Sequence, residues 1–105
     1  MKITTATIIM GLGIAMLTPS VWAADGATLF KTKTCISCHG KNGRHPILKT
    51  YPKLAGQNAD YLFNQMRDIK SGARSNGNTA AMKGVMGLVN EKEMRAIADW
   101  LGSLK

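Results

Sequence analysis

The chain lacks the residues for a disulfide framework, since only Cys35 and Cys38 carry a thiol among its 105 residues. A bridge between them would close a very short loop and stabilise the fold little, because the gain falls with loop length. No stretch alternates apolar and polar residues as a half-buried strand does, and no segment is repeated along the chain. These absences exclude a scaffold held by several disulfides, a sheet protein and a repeat array.

Acidic residues and aromatics are also scarce. Six Asp and Glu stand against fourteen Lys and Arg, which gives a formal net charge of +8, and aromatics make up 6% of the chain. The basic residues are scattered and are not interleaved with aromatics as they are on a nucleic-acid-binding surface. We therefore expect no nucleic-acid partner, whereas an acidic protein partner would suit the charge.

The longest apolar run covers residues 3–17, which is shorter than the roughly 20 residues that a membrane-spanning helix needs. It follows the positive Lys2 and precedes Pro19 and the small-residue site at 21–23, which is the layout of a secretory signal peptide. We predict cleavage after Ala23, with an uncleaved anchor as the alternative. Lys2 is the only charged residue before that point, so the domain 24–105 would carry a net charge of +7. A domain of that size has a marginal core, and we expect a further constraint to stabilise it.

The two cysteines stand in the segment CISCH, with His39 directly after Cys38. A thioredoxin-type dithiol would follow a strand in a βαβ unit, but the residues before Cys35 predict a short helix. A zinc site needs about four ligands, and His39 and His45 lie too near the cysteines for a relaxed tetrahedron. C-x-x-C-H is the attachment motif of a c-type haem and fits every part of the segment. We predict that both thiols bind haem vinyl groups and that His39 is the proximal iron ligand.

Helix signals occupy much of the domain. Asp25 can cap a first short helix, and Asn58 can cap a second helix that ends at Gly72. Asn90 and Glu93 have the spacing of a capping box at the start of the last helix. The sequence therefore predicts an all-α domain of three or four helices.

Whether the iron has an open coordination position depends on the methionines of the domain. The polar stretch 72–81, rich in Gly and Asn, predicts a loop that leads to Met82 and Met86 before the last helix. The other two methionines of the domain fall on helical stripes and are expected in the core: Met66 and Met94. A sulfur ligand opposite His39 would leave the iron no open position, and such an iron transfers electrons. By position alone both Met82 and Met86 are candidates, and a lysine, His45 or an open site remain alternatives.

Three segments of the chain resemble those of a known family. The stretches CISCHGKNG, YPKLAGQNADYLFNQMRDIKSGAR and MKGVMGLVNEKEMRAIADWLGSL resemble a class I bacterial cytochrome c. The similarity is greatest to one haem domain of the cytochrome c4 and c553 type and extends over essentially all of residues 24–105. It implies the all-α cytochrome c fold, with three to four helices wrapped around one covalently bound haem. The departure from c4 is that C-x-x-C-H occurs only once.

The resemblance also implies roles for individual residues. At the family's spacing from the cap of the last helix, the ligand methionine is Met82. The carbonyl of Pro52 would accept a hydrogen bond from His39. Gly26 and Phe30 would let the first helix cross the last one closely. Candidates for contacts with the haem propionates are Tyr51, Gln57 and Arg74.

By resemblance we expect a periplasmic monohaem cytochrome that carries single electrons in a respiratory chain and is not an enzyme. Cys35 and Cys38 would hold the haem c, and His39 and Met82 would bind its iron. Partners would be redox proteins: a quinol-oxidising complex, a dehydrogenase, or a terminal oxidase or reductase. We expect a monomer with no stable membrane insertion after cleavage. Two alternatives stay open: an electron-transfer subunit fixed in a larger oxidoreductase, and an open-site haem peroxidase or gas-binding protein.

Overall fold

The computed structural model describes residues 25–105, so the predicted signal peptide and its cleavage after Ala23 lie outside the described residues. Within that range the chain is helical and forms no strand, as expected for an all-α domain. The helices, in chain order, are α1 (Gly26–Thr32), α2 (Cys35–His39), α3 (Ala59–Ser71), α4 (Thr79–Met86) and α5 (Glu91–Ser103). A single 3₁₀ turn over Lys41–Gly43 follows α2. None of the helices in this described part is both long and apolar enough to cross a bilayer.

Helix α4 is the element that the sequence pattern does not predict. Residues 25–105 form five helices where three or four are expected, and the loop predicted over 72–81 is wrong at its end, because α4 begins at Thr79. Met82 and Met86 therefore lie on a helix and not in a loop. The segment TAAMKGVM contains Ala, Met and Lys, which favour helix, but no side chain caps its start and Gly84 weakens it. Gly and Asn are typical of loops, so the Gly and Asn residues just before α4 favour a loop prediction for this segment.

The caps of the longer helices form as predicted. The Asn58 side chain accepts a hydrogen bond at 3.0 Å from the backbone N–H of Tyr61, and Gly72 ends α3 with a φ of 87°. At the start of α5, the Asn90 side chain accepts from the N–H of Glu93 at 2.9 Å. The Glu93 carboxylate in turn accepts from the N–H of Asn90 at 3.0 Å. These bonds satisfy backbone groups that the helix ends would otherwise leave unpaired.

Helices α1 and α5 cross at very short range. A Cβ atom on Gly26 would lie 2.1 Å from the carbonyl oxygen of Ala96 and 2.5 Å from the Cβ of Trp100. Phe30 is buried, and its ring centroid is 5.4 Å from that of Trp100. The predicted use of a small residue and an aromatic at this crossing is confirmed.

Helix α3 also packs against α5, and both helices contribute to the main hydrophobic core. The largest fully buried side chains come from α1, α4, α5 and the turn before α5: Phe30, Met86, Val89, Met94, Ile97 and Leu101. The 44–58 loop joins the 3₁₀ turn to α3. The Gly43 carbonyl accepts from the N–H of Leu54 at 2.9 Å, and the N–H of Gly56 donates to the Leu101 carbonyl at 2.9 Å. The loop is therefore anchored both to the 3₁₀ turn and to α5.

Replacing Gly26 by Ala should destabilise the protein by about 1–3 kcal/mol, because the methyl group has no room against the backbone of α5. Thr32→Ala is the matched control, since Thr32 is an exposed residue of the same helix and its substitution should change the unfolding free energy by less than about 0.5 kcal/mol. Denaturant unfolding of the purified protein measures both. Equal stability of the two variants would show that the crossing is looser than described.

The capping box of α5 should make stability depend on pH in the acid range. The hydrogen bond from the backbone of Asn90, with a smaller contribution from Lys33, holds the pKa of Glu93 below its ordinary value of 4.5. Because folding lowers this pKa, the ionised carboxylate contributes stability above that ordinary value, and the contribution is lost as the pH falls through the lower folded-state pKa.

Glu93→Gln should therefore be less stable than the wild type near neutral pH, and the difference should vanish in strong acid. Unfolding curves recorded across the range below pH of about 5 test this. Lys92→Gln serves as the control, since it removes a charge from the same turn without removing a carboxylate. A deficit of Glu93→Gln that is unchanged at the lowest pH would mean that the ionised carboxylate is not its cause.

Candidate functional site

Helix α2 carries both cysteines and the histidine on one short segment. Thr34, with a φ of 69°, precedes it, and Gly40, with a φ of 78°, follows it. These two left-handed positions turn the chain sharply at both ends of the helix. Cys35 is buried in the core and Cys38 is half-buried, and both are free thiols.

Gly40 lets the 44–58 loop return directly over the end of α2. A Cβ atom at position 40 would lie 2.1 Å from the carbonyl oxygen of His45. The His45 residue is exposed, as expected for a loop histidine. Slightly further on, the N–H of Ile47 donates to the carbonyl of Cys38 at 3.0 Å. The C-x-x-C-H motif predicts neither feature. The only signal in the sequence is the glycine directly after the histidine, which favours a sharp turn.

The imidazole of His39 is only 4% exposed and is oriented by one hydrogen bond. Its Nδ1 lies 3.0 Å from the carbonyl oxygen of Pro52, which confirms the expected acceptor. A carbonyl can only accept, so Nδ1 donates and carries the proton. Burial lowers the pKa of His39, and the bond to Pro52 opposes this only in part, so the ring is neutral at pH 7. A neutral ring protonated on Nδ1 keeps a lone pair on Nε2, which can bind a metal.

The residues expected to touch haem propionates have partners in the protein. The ring centroid of Tyr51 is 6.4 Å from that of His39, so Tyr51 packs beside the candidate ligand. The side chain of Gln57 donates to a backbone carbonyl of its own loop, and Arg74 donates to Oε1 of Gln65 at 3.1 Å. Contacts of these three side chains with propionates stay predictions.

The thiols are not arranged for dithiol or zinc chemistry. Burial raises the pKa of Cys35 to about 11, whereas a reactive dithiol has a lowered thiol pKa. No strand precedes α2 within the described residues, as a thioredoxin-type site would require. Across residues 25–105 no group of three or more His, Cys, Asp or Glu side chains is placed to hold a metal ion. The raised pKa of Cys35 therefore argues against the dithiol alternative.

The two candidate methionine ligands differ in burial. Met86 is 1% exposed and lies inside the core. Met82 lies one turn before it on α4 and is half-buried against the same cluster, to which Cys35 also belongs. Met66 and Met94 are core residues, as predicted. The thioether of Met86 is thus enclosed by protein, whereas Met82 keeps part of its surface open.

The model of the cytochrome c family matches residues 23–105 of the chain. The chain belongs to the cytochrome c family. Its helical architecture is the all-α cytochrome c fold, and CISCH is the haem-attachment segment of that fold. The resemblance to class I bacterial cytochromes c is thereby confirmed.

Individual relatives agree with this assignment. Cytochrome c4 of Azotobacter vinelandii is 32% identical over 82% of this chain and 48% of its own length. Cytochrome c-553 of Nitratidesulfovibrio vulgaris is 31% identical over 94% of this chain and 89% of its own length. A thiosulfate dehydrogenase electron acceptor of Thiomonas intermedia is 34% identical over 90% of this chain and 43% of its own length. The cytochrome thus spans about half the length of its c4 relatives and most of the length of cytochrome c-553.

The side chains of this cytochrome fit a haem c. Two free thiols lie on one helix, a buried neutral imidazole follows them with Nε2 unprotonated, and apolar core residues surround them. Thiols that add to vinyl groups need no lowered pKa in the folded state, so the buried thiol of Cys35 is compatible with this use. The cytochrome binds one haem c covalently through Cys35 and Cys38.

The covalent attachment predicts a simple pattern of variants. Cys35→Ala and Cys38→Ala should each keep the haem through the remaining thioether bond, while the double variant should release it. Acid–acetone extraction followed by intact-mass measurement shows which of the three variants keep the haem. Ser37→Ala, an exposed change between the two cysteines, is the control and should retain the haem fully. Complete release of haem from either single variant would contradict attachment at both thiols.

Proposed function

We propose that this haem electron carrier is a periplasmic monohaem cytochrome whose iron is bound by His39 and Met82. The observation that carries the proposal is the orientation of His39, whose Nδ1 is committed to Pro52 and whose Nε2 is left for the iron. The half-buried Met82 supports the second position, because the competing thioether of Met86 is enclosed in the core. If His39 and Met82 both held the iron, no substrate could bind the metal, and the protein would act as a carrier and not as an enzyme.

The residues around the haem would determine its reduction potential and how much the site reorganises on electron transfer. The haem supplies a one-electron Fe(II)/Fe(III) couple. The thioether of Met82 is a soft, neutral donor that favours the reduced state and raises the reduction potential relative to a second histidine. The Pro52 carbonyl holds His39 in one tautomer and one orientation, so the nitrogen donor need not reorganise when the charge of the site changes.

The proposed location rests on the first 23 residues. A positive start, a short apolar run and a small-residue site favour export and cleavage after Ala23, which leaves the domain 24–105. The match to the cytochrome c family begins at residue 23, next to the proposed cleavage point. We therefore place the mature protein in the periplasm.

The proposed partners are redox proteins that deliver or accept one electron. The likeness to a thiosulfate dehydrogenase electron acceptor favours a dehydrogenase as a donor, alongside a quinol-oxidising complex, with a terminal oxidase or reductase as the acceptor. The net charge of +7 after cleavage suits acidic docking sites. Gel filtration of a native extract tests whether the protein is a free monomer, since a fixed subunit would elute with its larger complex.

A sulfur ligand supplied by Met82 would give the oxidised protein a weak near-infrared absorption band. Met82→Ala should lose this band and allow the reduced protein to bind carbon monoxide, because an axial position is vacated. Met86→Leu conserves the volume of a buried side chain and should keep the band, as should Met66→Leu. Absorption spectra of the wild type and the three variants show which methionine binds the iron. Loss of the band in the Met86 variant alone would transfer the role to Met86, and carbon monoxide binding by the wild type would indicate an open iron site.

A further inference from the structure

The dipeptide Asn-Gly occurs twice in the chain, at Asn42–Gly43 and at Asn76–Gly77. An asparagine before glycine is prone to lose its side-chain amide without a catalyst, because glycine has no side chain to shield the attacking backbone nitrogen. The other four asparagines precede residues that carry a side chain: Asn58, Asn64, Asn78 and Asn90. The local sequence makes the two Asn-Gly sites equally reactive, so any difference between them comes from the fold.

The fold holds the first dipeptide in a closed turn. Gly43 is buried, and its N–H donates to the Gly40 carbonyl at 3.0 Å. The Gly43 carbonyl accepts from the N–H of Leu54 at 2.9 Å. A Cβ atom on Gly43 would lie 3.0 Å from a side-chain carbon of Leu101, so the turn packs closely against α5. The Gly43 nitrogen can therefore attack the side chain of Asn42 only after the turn opens.

The second dipeptide is open to solvent. Asn76 and Gly77 are both exposed, and a Cβ atom on Gly77 would meet no heavy atom within 4 Å beyond its chain neighbours. Among the hydrogen bonds of residues 25–105, none uses the N–H of Gly77 or the side chain of Asn76. The Gly77 nitrogen can therefore approach the side-chain carbonyl carbon of Asn76 without breaking a hydrogen bond of the fold.

We propose that Asn76 is a site of spontaneous deamidation in the folded cytochrome, whereas Asn42 is protected by its turn. The Gly77 nitrogen bonds to the side-chain carbonyl carbon of Asn76, gives its proton to solvent and expels the amide as ammonia. One water then opens the resulting succinimide ring at either carbonyl and leaves aspartate or isoaspartate. No electrons are transferred, and the chain gains one negative charge. The proposal does not depend on which methionine binds the iron.

The isoaspartate product changes the start of α4. The main-chain carbonyl of Asn76 accepts from the N–H of Thr79 at 3.2 Å and also from the Thr79 hydroxyl. Thr79 is buried and is the first residue of α4, about one turn before Met82. In isoaspartate that carbonyl leaves the main chain, and the link to Gly77 lengthens by one methylene group, so the bonds to Thr79 weaken. Because no side chain caps the start of α4, its first turn then opens more easily.

The test measures deamidation in the folded, haem-loaded wild type. The protein is incubated in H₂¹⁸O at mildly alkaline pH and then digested with trypsin in ordinary water, so only sites hydrolysed during the incubation carry ¹⁸O. Cleavage after Lys and Arg places the two dipeptides in separate peptides, 42–44 and 75–83. Fragment spectra should locate the label at Asn76. Peptide 75–83 should gain label at least about tenfold faster than peptide 42–44, because the turn around Gly43 must first open locally.

Two controls separate the fold from the local sequence. The same incubation in guanidinium chloride unfolds the protein and should make the two peptides gain label at similar rates. Asn76→Gln keeps a neutral amide but could react only through a larger ring, so the label in peptide 75–83 should nearly disappear. Equal labelling of the two peptides in the folded wild type, or no label at Asn76, would overturn the proposal.

Hydrogen exchange tests the effect on α4. The isoaspartyl form is separated by ion exchange and identified by labelling with isoaspartyl methyltransferase. Its Thr79 amide hydrogen should exchange about fivefold faster than in the unmodified cytochrome, as expected for the loss of one net hydrogen bond. Asn76→Asp adds the charge without the methylene group and should keep the slower rate. Equal exchange in the isoaspartyl and unmodified forms would overturn the effect on α4.

Discussion

The hydrogen bond between Nδ1 of His39 and the carbonyl of Pro52 is the interaction on which the site depends. It connects the haem-binding helix to a loop that lies outside that helix, and it fixes which ring nitrogen carries the proton. Burial keeps the same ring neutral by lowering its pKa. A histidine that could rotate or change tautomer would present a different atom to the metal. Within residues 25–105, the imidazole is thus preorganised by backbone and burial, without a charged partner.

The rest of the fold keeps that bond in place. Helices α1 and α5 approach so closely at Gly26 that no side chain fits between them, and α5 in turn holds the 44–58 loop through its bond to Gly56. Since a domain of this length buries only a modest core, such close contacts contribute much of its stability. Covalent attachment of the haem at Cys35 and Cys38 adds the further constraint that the small core calls for. Stability and function therefore depend on the same elements.

The sequence predicts well those features of the fold that depend on residues close together in the chain. The caps at Asn58 and Asn90 and the core positions of Met66 and Met94 follow from side-chain chemistry and helical spacing, and the structure has all of them. The C-x-x-C-H motif predicts the cofactor because both thiols and the histidine lie within five residues. Helix α4 is missed because its stability comes from packing of Met86 into the core, which no local pattern records. The backbone hydrogen bond from Ile47 to Cys38 likewise could not be predicted from the sequence. It depends on how the 44–58 loop, which has no periodic sequence pattern, folds back over α2.

The central proposal is that one nitrogen of His39 and the sulfur of Met82 would hold the iron of the bound haem. Selective ¹³C labelling of the methionine methyl groups in the reduced, haem-loaded protein tests it directly, because a methyl group bound above the porphyrin feels a strong ring current. The account predicts that the Met82 methyl resonance is shifted far from its normal position, while those of Met66, Met86 and Met94 are not. A strongly shifted Met86 resonance, or ordinary positions for all four, would contradict it.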